Sequence, residues 1–287
     1  MVTPNLVRKI SSKRTLVSSM IVGAVAVTIL ITISVINARV INDDPKELQL
    51  LHVIYRHGPR TPADTYPNDP YINETFYPVG WGQITNPGKV QMYELGKWLR
   101  ERYGNFLGSL YNPSEFYVQT TDVDRTKVTA QLINAGLWPP NSVQKWGPLD
   151  WQPIPVHSEP LHLDHLLLVR KPCAQYSLEL ERLEKSDEIQ LMLNEYKDLF
   201  NNLTAITGKN VKTFDDVQDI YSTLIAEEHF NLTLPEWTKD YFPDKMVPPT
   251  VFSYVLNAYN TKLQRLKGDI LKKLHRCSST PINYTRL

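Results

Sequence analysis

The spacing of hydrophobic positions changes several times along the chain, and each change marks an element. The run LQLLHVIY, Leu48–Tyr55, is almost continuously apolar, has β-branched and aromatic members, and lies between Pro45 and Gly58. It predicts a strand buried on both faces, as in an α/β sheet. Val90, Tyr93, Leu95, Trp98 and Leu99 then recur at roughly helical spacing. Thr85-Asn86-Pro87 opens that helix and Gly104 closes it. EFYVQT, Glu115–Thr120, predicts a second short strand. A helix carrying Val128, Leu132, Ile133 and Leu137 follows it, with Asp122 or Asp124 placed to cap it. Strand, turn and helix thus occur twice, which argues for an α/β fold with a mainly parallel central sheet flanked by helices. Seven prolines between Pro139 and Pro172 predict extended surface structure, a wall over a cleft. From Ser177 to His275 the pattern is helical, with interleaved acids and bases that read as a solvated face of a second lobe.

One run breaks this alternation. Residues 16–36, LVSSMIVGAVAVTILITISVI, are 21 positions without a charge, and about 20 apolar residues span a bilayer as a helix. Arg8, Lys9, Lys13 and Arg14 precede it and should stay cytoplasmic, which sends the chain after Arg39 to the lumen or outside. The length favours an uncleaved anchor over a signal peptide, although Ala38 is a small residue at which a cut would fall. The expected organisation is a basic tail over 1–15, a transmembrane signal-anchor over 16–36, a tether over 37–47 and one domain over 48–287. The helical lobe occupies roughly 161–276 of that domain.

Composition adds little and excludes one class. The 287 residues are 42% hydrophobic and 21% charged, ordinary for a chain with a real core. Without the four leading cations, 27 of the 31 remain against 30 acids, so the folded part has no basic footprint for nucleic acid. N-x-S/T acceptors at Asn73, Asn202, Asn231 and Asn283 agree with export. Cys173 and Cys277 are the only cysteines; in an oxidising compartment they either pair or stand as two unrelated thiols. No cluster at metal-ligand spacing occurs, so neither a metal nor a cofactor is expected.

The chemistry gathers at strand ends. In open α/β sheets ligands bind beyond the carboxyl ends of strands, where RHGPR and DVDR fall. Arg56, Arg60 and Arg125 offer planar forks that match phosphate oxygens, Gly58 permits close backbone approach, and a helix N-terminus adds amide donors. His57 among them is placed to attack a bound phosphoryl group. His52, His157, His162, His165, His229 and His275 have no comparable setting.

Arg56-His57-Gly58-Pro59-Arg60-Thr61-Pro62 fits the signature R-H-G-x-R-x-P, and DTYPNDPY, GWGQITNPG, YELGKWLRERY, TTDVDRTKVTA and LDWQPIPVH follow in order. Over roughly Leu48–His275 the chain resembles the histidine acid phosphatases of prostatic and lysosomal type. The resemblance implies an α/β phosphatase domain with a helical cap, acting on small phosphate monoesters or phosphoproteins at acid pH without a metal. It makes His57 the nucleophile and Arg56, Arg60 and Arg125 the phosphate clamp. It also implies a lysosomal, luminal or extracellular site of action. The family's second motif, a His-Asp pair that protonates the leaving alcohol, has no counterpart here, because none of the seven histidines is followed by Asp or Glu. The proton donor is therefore unassigned. Final strands of the family's sheet are expected to be missing, and Cys173 matches a family cysteine whose partner lies in that part. The rival expectation is a non-catalytic phosphate-binding membrane glycoprotein. Oligomeric state, a homodimer included, is left open.

Overall fold

The computed structural model describes residues 48–168 and 173–276, with side chains as far as residue 268. The predicted anchor 16–36, its basic flank, the tether, Cys277 and Asn283 lie outside the described residues. Among the described residues no helix is long and apolar enough to cross a membrane.

The first long helix, α1 (Asn86–Leu107), starts where the pattern placed it. Thr85 Oγ1 accepts the Gly88 N–H at 3.1 Å, and Pro87 occupies a position whose N–H has no partner in a helix start. The helix runs three residues past Gly104 and closes at Gly108, which takes φ 71° and donates its N–H to the Gly104 carbonyl. Next come β1 (Gln119–Thr121), α2 (Asp124–Leu137) and β2 (His157–Glu159). β1 and β2 pair in parallel, Gln119 opposite His157 and Thr121 opposite Glu159, so α2 belongs to the crossover that parallel strands require. β2 arises within the proline-rich stretch read as surface structure.

Two expectations fail here. Leu48–Tyr55 is not a buried strand: among the described residues its backbone joins no ladder, and Val53 and Ile54 are 41% and 70% exposed. An apolar run becomes a strand only when a neighbouring strand satisfies its backbone, and β1 pairs with β2 instead. Neither Asp122 nor Asp124 caps α2. The N-cap is Val123, with no side-chain bond, and Asp124 is the first helical residue. Asp122 is drawn off by an ion pair with Lys127 and by the Ser158 hydroxyl.

The second lobe is helical, as expected, but more finely divided. It comprises α3 (Ala174–Glu184), α4 (Asp187–Glu195), α5 (Lys197–Thr207), α6 (Phe214–His229), α7 (Thr238–Tyr241), α8 (Val247–Leu256) and α9 (Thr261–Arg276). Ser186 caps α4 and breaks the first periodic run. Thr213 and Asp216 form a capping box on α6. Asn260 Oδ1 accepts the Leu263 N–H and starts α9. The charged pattern is not wholly solvated. Glu179 is 4% exposed and takes hydrogen bonds from Arg182, Asn260 and Lys262, tying α3 to α9. The lobe's core holds Leu203, Phe214, Val217, Ile220, Leu224 and Met246.

A smaller core, built on Met92, Leu99, Ile133, Leu137 and Trp138, sits between α1 and α2. There the helices meet backbone to backbone. A Cβ at Gly96 would lie 2.2 Å from the Ile133 carbonyl oxygen, and one at Gly136 2.2 Å from the Tyr93 carbonyl oxygen. Gly96→Ala should therefore force the helices apart and cost about 1–3 kcal/mol or more, read by denaturant unfolding. Gly104→Ala, where a Cβ meets open space, should cost nothing and gain up to about 1 kcal/mol from helix propensity.

Candidate active site

The segment Arg56–Pro62 is fixed by backbone first. Arg60 bridges to Ile84 in antiparallel fashion. The Thr61 N–H donates to Gln83 O at 3.0 Å, Thr85 N–H to Pro59 O at 3.1 Å and Gly82 N–H to Pro62 O at 2.7 Å. Thr61, fully buried, donates its hydroxyl to Gly80 O at 2.6 Å. These bonds lay the motif along the entry to α1. The approach is close enough that a Cβ at Gly88 would fall 2.3 Å from Pro59 O. On the other side, Gly58 N–H donates to Thr129 Oγ1 at 3.2 Å, and that hydroxyl donates to the Arg125 carbonyl at 2.8 Å. Thr129, 1% exposed, thus joins the motif to the first turn of α2. Sequence reading did not single it out, because one threonine inside a helical pattern carries no signal.

The outcome is a cluster of cations around one imidazole. His57 Nδ1 lies 2.9 Å from the Gly58 carbonyl. A carbonyl only accepts, so the proton sits on Nδ1 and the lone pair of the neutral ring is on Nε2. Burial lowers the His57 pKa to about 4, and the charges of Arg56, Arg125 and Arg60 add to that against the Gly58 bond. Burial likewise lowers Arg60 to about 10, helped by Arg125 and Arg56. Arg125 is shifted down by burial and by Arg56. Among the described residues none of the three arginines has a carboxylate partner. Arg60 spends one Nη1 proton on Thr61 O at 2.8 Å, and Arg125 Nε is buried without an acceptor. Half-buried Arg60 and Arg125 and exposed Arg56 thus crowd together without a carboxylate among the described residues, an arrangement suited to receive an anion. Tyr254, half exposed on α8, acts on Arg60 from the helical lobe; its position in a periodic run gave no hint of that.

The other histidines stay apart. His52, His162, His165 and His229 are exposed, and His157 stacks on Tyr117 at 4.7 Å between ring centroids. The side chain of His275 is outside the described set. Asn73, Asn202 and Asn231 are all exposed. Cys173 forms no disulfide among the described residues.

A family model described as the histidine phosphatase superfamily (branch 2) matches residues 47–242. The chain is 39% identical over 233 residues to venom acid phosphatase Acph-1 of Apis mellifera, covering 79% of this chain and 60% of that protein. It is 38% identical over 255 residues to prostatic acid phosphatase of Homo sapiens, covering 84% and 65%. It is 36% identical over 231 residues to lysosomal acid phosphatase of Homo sapiens, covering 79% and 54%. The chain thus spans less than two thirds of the length of these curated relatives. Among solved structures, the phytase of Klebsiella sp ASR1 aligns with a TM-score of 0.47 at 15% identity, over 70% of this chain and 57% of that one.

The electrostatics yield a direct check. Nuclear magnetic resonance titration should place His57 near about 4 in the free protein. Arg125→Ala removes one of the repelling cations and should move that titration upward. Saturating inorganic phosphate, which adds negative charge beside the ring, should raise it further. A His57 that titrates at its ordinary value in the free protein would contradict the arrangement.

Proposed function

The chain belongs to branch 2 of the histidine phosphatase superfamily, and from that premise we propose that it is an acid phosphatase, hydrolysing phosphate monoesters through a phosphohistidine. The observation that carries this reading is a half-buried imidazole, neutral down to about pH 4, among three guanidiniums that have no carboxylate partner among the described residues. Arg56, Arg60 and Arg125 hold the phosphate oxygens and neutralise charge that builds up in transfer. His57 Nε2 attacks phosphorus; the N–P bond forms as the ester P–O bond breaks. Water then attacks the phosphohistidine and releases phosphate, restoring the ring. A histidine that stays unprotonated at acid pH is the form a nucleophile needs there. The leaving oxygen takes its proton from solvent or from a group yet unassigned.

The same reading extends to the setting. Relatives named as venom, prostatic and lysosomal acid phosphatases, the apolar run 16–36 and the exposed acceptors Asn73, Asn202 and Asn231 support a luminal, lysosomal or extracellular domain on a signal-anchor. Small phosphate monoesters and phosphoproteins are the substrates this site would take.

Two measurements test this. His57→Ala should abolish turnover of p-nitrophenyl phosphate, and labelled substrate should mark wild-type His57 as a base-stable, acid-labile phosphoramidate. Because general acid catalysis contributes about 10²–10⁴-fold, alkyl phosphates should be turned over more slowly than aryl phosphates by a factor in that range. Phosphate binding without turnover of either substrate would favour the binding-protein reading instead. For topology, deglycosylation should increase gel mobility, with Asn202→Gln and Asn231→Gln each removing part of the shift; an unglycosylated cytosolic protein would overturn it.

A further inference from the structure

The segment directly after the motif, residues 63–76, is fastened to the helical lobe. Thr223 Oγ1 donates to Asp64 O at 2.9 Å, Asn68 N–H to Thr207 O at 2.9 Å, Asn68 Nδ2 to Ile206 O at 2.9 Å and Tyr71 OH to Thr233 O at 2.6 Å. Phe76 packs edge-on to Phe230, and Tyr66 to Trp237. In the middle of this seam two carboxyl groups are buried against each other. Asp69 is 4% exposed and Glu227, on α6, is 0% exposed. Asp69 takes the Tyr71 N–H at 2.7 Å and the Thr65 hydroxyl. Neither oxygen of Glu227 meets an N–H or O–H donor. The group that faces it within hydrogen-bonding reach is the Asp69 carboxyl, and two carboxyls can bond to one another only if one of them keeps its proton.

We propose that Asp69 and Glu227 share one proton, and that the shared proton is a latch: it fastens the segment behind the phosphate motif to the helical lobe in acid and releases it in alkali. Without that proton two buried negative charges would stand side by side with no cation among the described residues to offset them, which folded proteins avoid by keeping one group neutral. The titratable group that meets both carboxyls is Tyr66 of the same segment, and Tyr71 acts in turn on Tyr66. The Tyr66 phenol is pushed up by burial, then by Glu227, Asp69 and Tyr71, and so stays uncharged. Burial first, then the charge and hydrogen bond of Asp69, raise Glu227 from 4.5 to about 8. Between those values the folded chain holds a proton that the unfolded chain has lost, so stability falls as pH rises. The contribution is complete below about 4.5 and gone above about 8.

Glu227→Gln replaces the protonated acid by a neutral amide that can still donate to Asp69. Thermal unfolding of the full chain from about pH 5 to about pH 9 should show wild type losing folding equilibrium constant relative to Glu227→Gln by up to about tenfold per pH unit inside the window. The two curves should converge in acid. Parallel curves would overturn the shared proton. Should the variant fail to fold, wild type labelled with carbon-13 glutamate decides: its infrared spectrum should show a protonated carboxyl band at about pH 6, between the ordinary and raised values. Absence of that band would overturn the proposal. Release itself is read by hydrogen exchange: amides of residues 64–76 should lose protection in wild type above about pH 8 and keep it in Glu227→Gln. Equal protection in both proteins at high pH would refute the latch. None of these readouts depends on phosphatase turnover.

Discussion

Everything at the candidate site hangs on α1 serving as a surface that other backbone can touch. Gly88 lets the Pro59 carbonyl sit against the first turn of α1, and Gly96 lets α2 lie against its middle. Dispersion and burial in the small core then act across main-chain contact rather than across two layers of side chains. The motif and α2 are thereby referred to one rigid helix, and the Gly58–Thr129–Arg125 hydrogen bonds need only lock a geometry already set. Three positions where a methyl group does not fit, Gly88, Gly96 and Gly136, hold a charged site in register.

That rigidity has an electrostatic consequence. Three guanidiniums brought near one imidazole would disperse if their backbone were loose, because Arg56 and Arg125 weaken the hold of Arg60 on its proton and Arg56 weakens that of Arg125. Held in place, they add to burial in keeping His57 neutral, and Arg125 Nε stays without an acceptor. Stability is given up locally for a receptor that gains it back when an anion arrives, the usual trade at a preorganised site.

Much of this was legible in the sequence, and what was not has physical reasons. The 3.6-residue period and the Thr85-Asn86-Pro87 start are local properties, so α1 and its cap were readable from them. The rule that ligands sit beyond strand ends put Arg125 beside the RHGPR turn, although only DVDR follows a strand among the described residues. Leu48–Tyr55 misled because an apolar run looks the same whether or not a partner strand pairs with it. The caps at Ser186 and Asn260 broke helices that hydropathy alone drew as continuous. Glu179 was read as solvent-facing because its charge pattern matches a surface helix; only the meeting of α3 with α9 buries it. Thr129, Tyr254 and the Asp69–Glu227 pair are invisible for the same reason: their meaning comes from contacts distant in sequence.

Two titratable groups in this chain are displaced in opposite directions by the same cause. Burial disfavours charge whatever its sign, so it takes the His57 imidazolium down to about 4 and lifts the Glu227 carboxyl to about 8. Neighbours push the same way in each case, cations around the base and a carboxylate beside the acid. Between those two values both groups are uncharged. The imidazole then keeps the lone pair that the proposed nucleophile needs, and the seam behind it carries no buried repulsion. Above that interval the imidazole remains available while the seam loses its proton; below it the seam holds while the imidazole is protonated. On the proposed roles of His57 and the Asp69–Glu227 pair, the site sets the acid-side limit and the scaffold that positions it sets the alkaline-side one.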